Sequence, residues 1–235
     1  MKKIRIGITD CNRYTDYEKW MKNEDGVEVI RLGYMENNLQ EVENCDGIVL
    51  SGGEDIHPAL YNKPEYLNYC HLQNMDKKRD EFEWKVLQYS QDKNLPVLGI
   101  CRGLQLVNIF YKGTLIPENS AFGKEDHSKF NESLDRYHPV QVRPETMLHR
   151  IVGTEAGQIN SEHHQSIDVL GQGLAVNSFS EDGVIEGMES TDPERNPFLL
   201  LVQWHPERMS DRQSVFSINI KKSFLAAVRK EIIKD

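Results

Sequence analysis

The chain has little of what marks several common protein classes. Its 235 residues hold only four cysteines, Cys11, Cys45, Cys70 and Cys101, with no paired or metal-type spacing, so neither a disulfide framework nor a cysteine-held metal is expected. No apolar run is long enough to span a bilayer, and the start MKKIRIGITD lacks the apolar stretch of a secretory signal. These absences read as a reduced, cytoplasmic protein with no membrane partner. Positive charge is in the minority, 28 Lys and Arg against 37 Asp and Glu for a net charge of −9, and both signs are scattered. A nucleic-acid partner would leave a basic stripe; a small polar molecule is the better match. Internal repeats, low-complexity tracts and linkers are missing too, which makes residues 1–235 one domain of ordinary size.

Short apolar runs alternate with longer helix-like segments. Strands are expected at Ile4 to Thr9, Val27 to Arg31, Gly47 to Ser51, Pro96 to Ile100 and Phe198 to Trp204. Such nearly continuous runs suit strands covered on both faces, as in a parallel sheet. Helices are expected over Arg79 to Lys93, Gly103 to Tyr111 and Ser214 to Ile232, with Phe82, Val86 and Tyr89 forming a core stripe. The polar stretch from Pro117 to about Arg143 reads as surface loop. GLAVNSFS and VIEGMES, joined by Glu181-Asp182-Gly183, read as a small β-hairpin elaboration. The fold class is therefore α/β: an open, mostly parallel sheet with helices on both faces.

The chemistry gathers around GICRGLQ, residues 99–105. Strand, Gly99-x-Cys101-x-Gly103, helix is the cysteine version of the nucleophile elbow, whose glycines let the backbone turn sharply. A cysteine there feels the positive end of the helix dipole, which favours thiolate. Free cysteine is also a common core residue, and on the heptapeptide alone the two readings stand level. A nucleophile needs a base and an orienting group. Gln203-Trp204-His205-Pro206-Glu207 offers both: Pro206 keeps His205 out of the α region, and an extended segment sets His205 and Glu207 side by side. Ser51-Gly52-Gly53 ends another buried strand, where backbone N–H groups can approach a ligand closely. All three motifs fall at carboxyl ends of expected parallel strands, where open α/β sheets place their sites.

GICRGLQ with VQWHPE resembles the paired signature of class I glutamine amidotransferases, with their flavodoxin-like sheet. SGGEDIHPALY, INSEHHQSI and EDGVIEGM resemble the γ-glutamyl hydrolase branch, of the γ-glutamyl-γ-aminobutyrate hydrolase type, from about Gly47 to Arg208. The resemblance implies a Cys101, His205, Glu207 triad and an oxyanion hole from the backbone of Gly53 and Arg102. It further implies that Gln105, His164 and Gln165 line a γ-glutamyl pocket. No cofactor or metal is implied. The expected activity is hydrolysis of a γ-glutamyl amide through a cysteine thioester, with a small γ-glutamyl substrate as partner and a homodimer as a compatible assembly. The alternatives are a glutaminase subunit that supplies ammonia to a synthetase partner, and a non-enzymatic regulator on the same fold; a lost triad residue would point to the latter, and none is lost. Lys112-Gly113-Thr114-Leu115-Ile116-Pro117-Glu118 and His57 depart from the branch's usual residues, as do the first forty positions, which bears on the leaving group.

His127, His138, His149 and the adjacent pair His163 and His164 show no His-x-x-x-His spacing, so no metal site is expected. Asp80, Glu81 and Glu83 read as an exposed helical face rather than a catalytic pair.

Overall fold

A computed structural model describes residues 3–71, 73, 75–192 and 198–232. Five parallel strands form one half of a nine-stranded sheet: β1 (Ile4–Thr9), β2 (Val27–Leu32), β3 (Gly47–Leu50), β4 (Val97–Ile100) and β11 (Leu199–Val202). Every residue of β3, β4 and β11 is buried, as the unbroken apolar runs require of strands sandwiched between helices. The other half is antiparallel: β6 (Arg136–Val142), β7 (Ala156–Ser161), β9 (Leu174–Phe179) and β10 (Ile185–Ser190), in the order β2-β1-β3-β4-β11-β10-β9-β6-β7. A separate pair joins β5 (Leu115–Ile116) to β8 (Ser166–Ile167).

Two expectations change here. The hairpin of β9 and β10 exists, with Gly183 at φ +79° in its turn, but it continues the main sheet instead of decorating it. The supposed loop before Arg143 contains β6, in which Val140 and Val142 are buried while Tyr137 and Gln141 are exposed. A half-buried strand carrying His138 and Pro139 lacks the apolar run that marked the parallel strands.

Helices α1 (Tyr14–Lys22), α4 (Met147–Val152) and α5 (Val215–Ile232) cover one face; α2 (Lys77–Asp92) and α3 (Arg102–Phe110) cover the other. On the first face Tyr17, Trp20 and Met21 pack in the same cluster as Ile220, Phe224 and Val228. On the second, Phe82, Val86 and Leu87 meet Leu104, Leu106 and Val107, while Tyr89 of the expected stripe is only partly buried. Each fully buried side chain of this kind contributes about 1.5–3 kcal/mol relative to exposure. Helix α2 starts earlier than its apolar spacing suggests, because the Asp76 carboxylate accepts from the Lys78 N–H at 2.9 Å and caps it. Among the described residues no helix is long and apolar enough to cross a membrane.

Candidate active site

The sheet brings the carboxyl ends of β3, β4 and β11 side by side, in parallel register. Cys101 follows β4 directly and holds φ +52°, ψ −106°, outside the regions an L-residue prefers. A backbone bond from its N–H to the Val202 carbonyl, 2.8 Å, and helix α3 beginning at the next residue fix the turn. The flanking glycines are needed for packing: a methyl at Gly103 would strike the Leu50 carbonyl, and one at Gly99 would come within 3.1 Å of the Gly103 backbone. The turn is thus wedged between β3 and β11, with the thiol at the edge.

At the end of β11, Trp204 is fully buried and donates its indole N–H to the Phe216 carbonyl at 3.1 Å, anchoring the next residue. His205 is held through its N–H by the Asn160 side-chain oxygen at 3.2 Å. Its Nδ1 lies 2.8 Å from Glu207 Oε1, and the Cys101 thiol is its other side-chain partner. Glu207 sits in a 3-10 turn over Pro206–Arg208, not in an extended run, yet the pair still forms. Burial and the Arg208 guanidinium oppose a charge on His205. Glu207 and Cys101 outweigh them and raise its pKa to about 9, so the imidazolium persists at neutral pH.

The third strand end, Ser51-Gly52-Gly53, is held from two sides. The Gly52 N–H donates to the Tyr17 hydroxyl at 2.8 Å, and Arg79 Nη2 donates to the Gly52 carbonyl at 2.7 Å. Arg79 Nε also donates to Glu83 at 2.9 Å, and Glu83 in turn accepts from Arg102. Arg102 pairs as well with Asp80. All four side chains are buried, so the expectation of an exposed acidic face fails for Asp80 and Glu83 and holds only for Glu81. Burial pushes Asp80 up despite its one arginine, whereas Glu83, also buried, is held below its ordinary value by two. This network ties the Gly-Gly turn to the start of α3. Its two ends carry the Gly53 and Arg102 amides, and the latter opens a helix, where an N–H has no intrahelical acceptor.

The Peptidase C26 family matches over residues 7–207. The chain belongs to that family. The match reaches forty residues further toward the N-terminus than the quoted motifs do. A Schizosaccharomyces pombe protein named "Putative glutamine amidotransferase" is 37% identical over 79% of this chain and 70% of its own length. The γ-glutamyl-γ-aminobutyrate hydrolase PuuD of Escherichia coli is 27% identical over 82% and 76%. Among solved structures, the glutaminase domain of Trypanosoma brucei CTPS with bound acivicin superposes with TM-score 0.66 at 14% identity, covering 97% of this chain and 94% of that one. A glutamine amidotransferase from Thermotoga maritima does so with TM-score 0.61 at 11% identity over all of both chains. These neighbours share the class I glutamine amidotransferase fold with the C26 chain.

A cavity of about 300 Å³ opens over Cys101, His205 and Glu207, walled by Gly52, Gly53, Asp55 and His164 among others. His164 stacks on His71 at 4.2 Å and places its two ring nitrogens 2.7 Å from Asp55 and 3.1 Å from Glu118. Although burial opposes it, these carboxylates raise its pKa. Asp55, His71 and His164 lie close enough to hold a metal, but both His164 nitrogens are already engaged. Gln105 and Gln165 are not on the cavity wall. Gln105 donates to the Gln165 carbonyl and to Gln203 at 3.2 and 3.3 Å, and Gln165 donates to the Pro117 carbonyl at 3.3 Å, so both are engaged away from the cavity. A second thiol, Cys11, also lines the cavity, but burial pushes it up to about 11. It stays protonated where a thiolate is needed.

Tyr17 and Arg79 escape the motif reading because neither sits in a motif. Their only sequence signals are aromatic spacing in YTDYEKWM and the i, i+4 pair Arg79 and Glu83. The arrangement as a whole can attack an acyl carbon, offer amides to the oxyanion and deliver a proton to a leaving group.

Proposed function

We propose that the chain hydrolyses a γ-glutamyl amide, with Cys101 as nucleophile. The observation that supports this best is the strained Cys101 turn beside a buried, charged His205 oriented by Glu207. The Cys101 thiolate sulfur attacks the γ-carbonyl carbon, and the carbonyl electron pair moves onto oxygen, between the Gly53 and Arg102 amides. As that oxygen re-forms its double bond, the C–N bond breaks and His205 gives its proton to the departing nitrogen. A γ-glutamyl thioester and a free amine result. Neutral His205 then takes a proton from water, the hydroxide adds to the thioester, and glutamate leaves with the thiolate and imidazolium restored. No metal or organic cofactor takes part in these steps.

The pocket has the polarity such a substrate needs. Its wall carries both signs, Asp55, Glu54 and Glu162 beside Arg13 and Arg208, and an ammonium and a carboxylate would share the ion pairs these residues already make. His164 stands at the Asp55 side and helps set where the ammonium lies. The PuuD likeness supports a γ-glutamyl amine as substrate; a cytoplasmic setting is part of the same proposal.

A second reading rests on the higher identity to a protein named as an amidotransferase: a glutaminase subunit feeding ammonia to a synthetase. The two separate on the purified chain. Incubation with γ-glutamyl-γ-aminobutyrate, other γ-glutamyl amides and glutamine, followed by mass spectrometry of released glutamate, should show turnover of γ-glutamyl amines by the chain alone. Turnover of glutamine only, rising when a synthetase is added, would replace the hydrolase reading with the glutaminase one.

A further inference from the structure

Four residues far apart in the chain, His127, His138, His163 and Glu186, bring one ligand atom each within 4.8 Å of all the others. They come from the segment before β6, from β6 itself, from the turn between β7 and β8, and from β10. His127, His163 and Glu186 are at most 5% exposed. Glu186 Oε1 is the hub: His127 Nδ1 lies 3.3 Å from it, His138 Nε2 3.6 Å and His163 Nε2 3.7 Å.

None of these atoms has a hydrogen-bond partner, and the second Glu186 oxygen has none either. The outward nitrogens explain why. His138 Nδ1 is 2.9 Å from the Pro139 carbonyl and His163 Nδ1 is 2.9 Å from the Gln165 carbonyl. A carbonyl only accepts, so both nitrogens carry the proton, and the neutral rings turn bare lone pairs inward. His127 Nε2 sits 3.3 Å from both oxygens of Asp182, which also only accept, and its Nδ1 faces inward. Unless His127 takes a second proton, which Glu186 and Asp182 favour, three imidazole lone pairs and a carboxylate converge with no donor among them. A single added proton would bridge one pair and leave two nitrogens bare; a cation satisfies all four at once.

We propose that His127, His138, His163 and Glu186 form a buried structural site for a divalent transition metal of the zinc class. Bonds of about 2.0–2.1 Å in a tetrahedron put the ligands about 3.3 Å apart, close to the spacing around Glu186. Three imidazoles with one carboxylate suit zinc, cobalt or nickel and not magnesium or calcium. The two carboxylates, Glu186 and Asp182, balance the ion's two charges, and each histidine is oriented by the acceptor behind it, as ligating histidines are. A surface cavity of about 270 Å³, lined by His127, His138 and Asp182, gives the ion a way in. Four protein ligands leave no open position, so the ion would pin the segment before β6 to the antiparallel half and not act in the chemistry. The site stands apart from the Cys101 cavity, and its test is indifferent to the substrate.

The full chain, stripped with chelator and then given Zn²⁺ or Co²⁺ in molar excess and desalted, should retain one metal per chain by mass spectrometry of the elements. Co²⁺ should show the intense visible bands of tetrahedral cobalt. Zn²⁺ should raise Tm, and Glu186→Gln and His138→Ala should each abolish both the retained metal and the shift. His164→Asn should retain the metal, which separates this cluster from Asp55, His71 and His164. The proposal is overturned if wild type retains no stoichiometric Zn²⁺ or Co²⁺, or if retention survives Glu186→Gln; should His138→Ala not fold, the near-isosteric Glu186→Gln and the wild-type cobalt spectrum decide.

Discussion

The Arg79, Asp80, Glu83 and Arg102 network and the His127, His138, His163 and Glu186 cluster are both buried groups of four ionisable side chains. In the first, beside the parallel half of the sheet, two guanidiniums meet two carboxylates, and each acid has a basic partner within hydrogen-bond reach. In the second, in the antiparallel half, the inward atoms have no hydrogen-bond partner. Burial makes an unmatched polar group costly, so a complete network can serve as scaffold, whereas an incomplete one implies an absent partner. The first network also runs between the two turns that frame Cys101, which makes it a positioning device for the site.

The sharpest way to break the site side of this comparison is to remove its chemistry. Cys101→Ala and His205→Asn should each lower kcat about a thousandfold or more, and Glu207→Gln less, since it disturbs orientation without removing the base. A diazo-ketone analogue of glutamine should label Cys101; a label on Cys11 with Cys101→Ala still active would sink the assignment. Next in size, Glu83→Gln should cost about 3 kcal/mol in urea unfolding, because it removes the one carboxylate that both buried guanidiniums share and leaves Arg79 to Glu54 and Arg102 to Asp80. A loss under about 1 kcal/mol would show the network to be solvated.

Selectivity is a smaller effect. An α-linked isomer lacks the free α-carboxylate, and each unmatched buried group costs about 1–3 kcal/mol, so kcat/KM should fall roughly a hundredfold against the γ-linked isomer. Comparable rates would refute the γ-glutamyl pocket. Smaller again is the pH effect. His205 has its pKa raised to about 9, so its share of stability is in full force below its ordinary value near 6.5 and is lost as pH rises through about 9. The proton for the leaving amine goes with it, and kcat/KM should drop about tenfold per pH unit above that point. Glu207→Gln should move the limb to lower pH; an unmoved limb would mean another group titrates. Smallest of all, Glu186→Gln in metal-free protein should cost less than about 1 kcal/mol, since the amide that replaces the buried carboxylate escapes its desolvation and can donate to a bare histidine nitrogen. A cost rivalling Glu83→Gln would mean that Glu186 is balanced by a proton.

The parallel half was legible because its strands are buried on both faces and so appear as apolar runs; GIVL, VLGI and LLLV all fall within the expected strands. Three motifs at their ends were legible for the same reason. Strands β6 and β7 were not, since a sheet with one half-covered face admits polar residues such as Gln141 and Gln158. Asp80 and Glu83 were misread because burial of a charge depends on a partner distant in sequence, here Arg102. The four-residue cluster was hidden likewise: its members stand at 127, 138, 163 and 186, and only the fold counts them as neighbours.

The positive φ of Cys101 has an evolutionary side. Holding an L-residue there costs about 1–3 kcal/mol, out of a folding margin of about 5–15 kcal/mol. Glycine would sit in that turn at ease. Selection for robustness alone would favour replacing the thiol; under the proposed reaction, position 101 trades folding margin for a nucleophile.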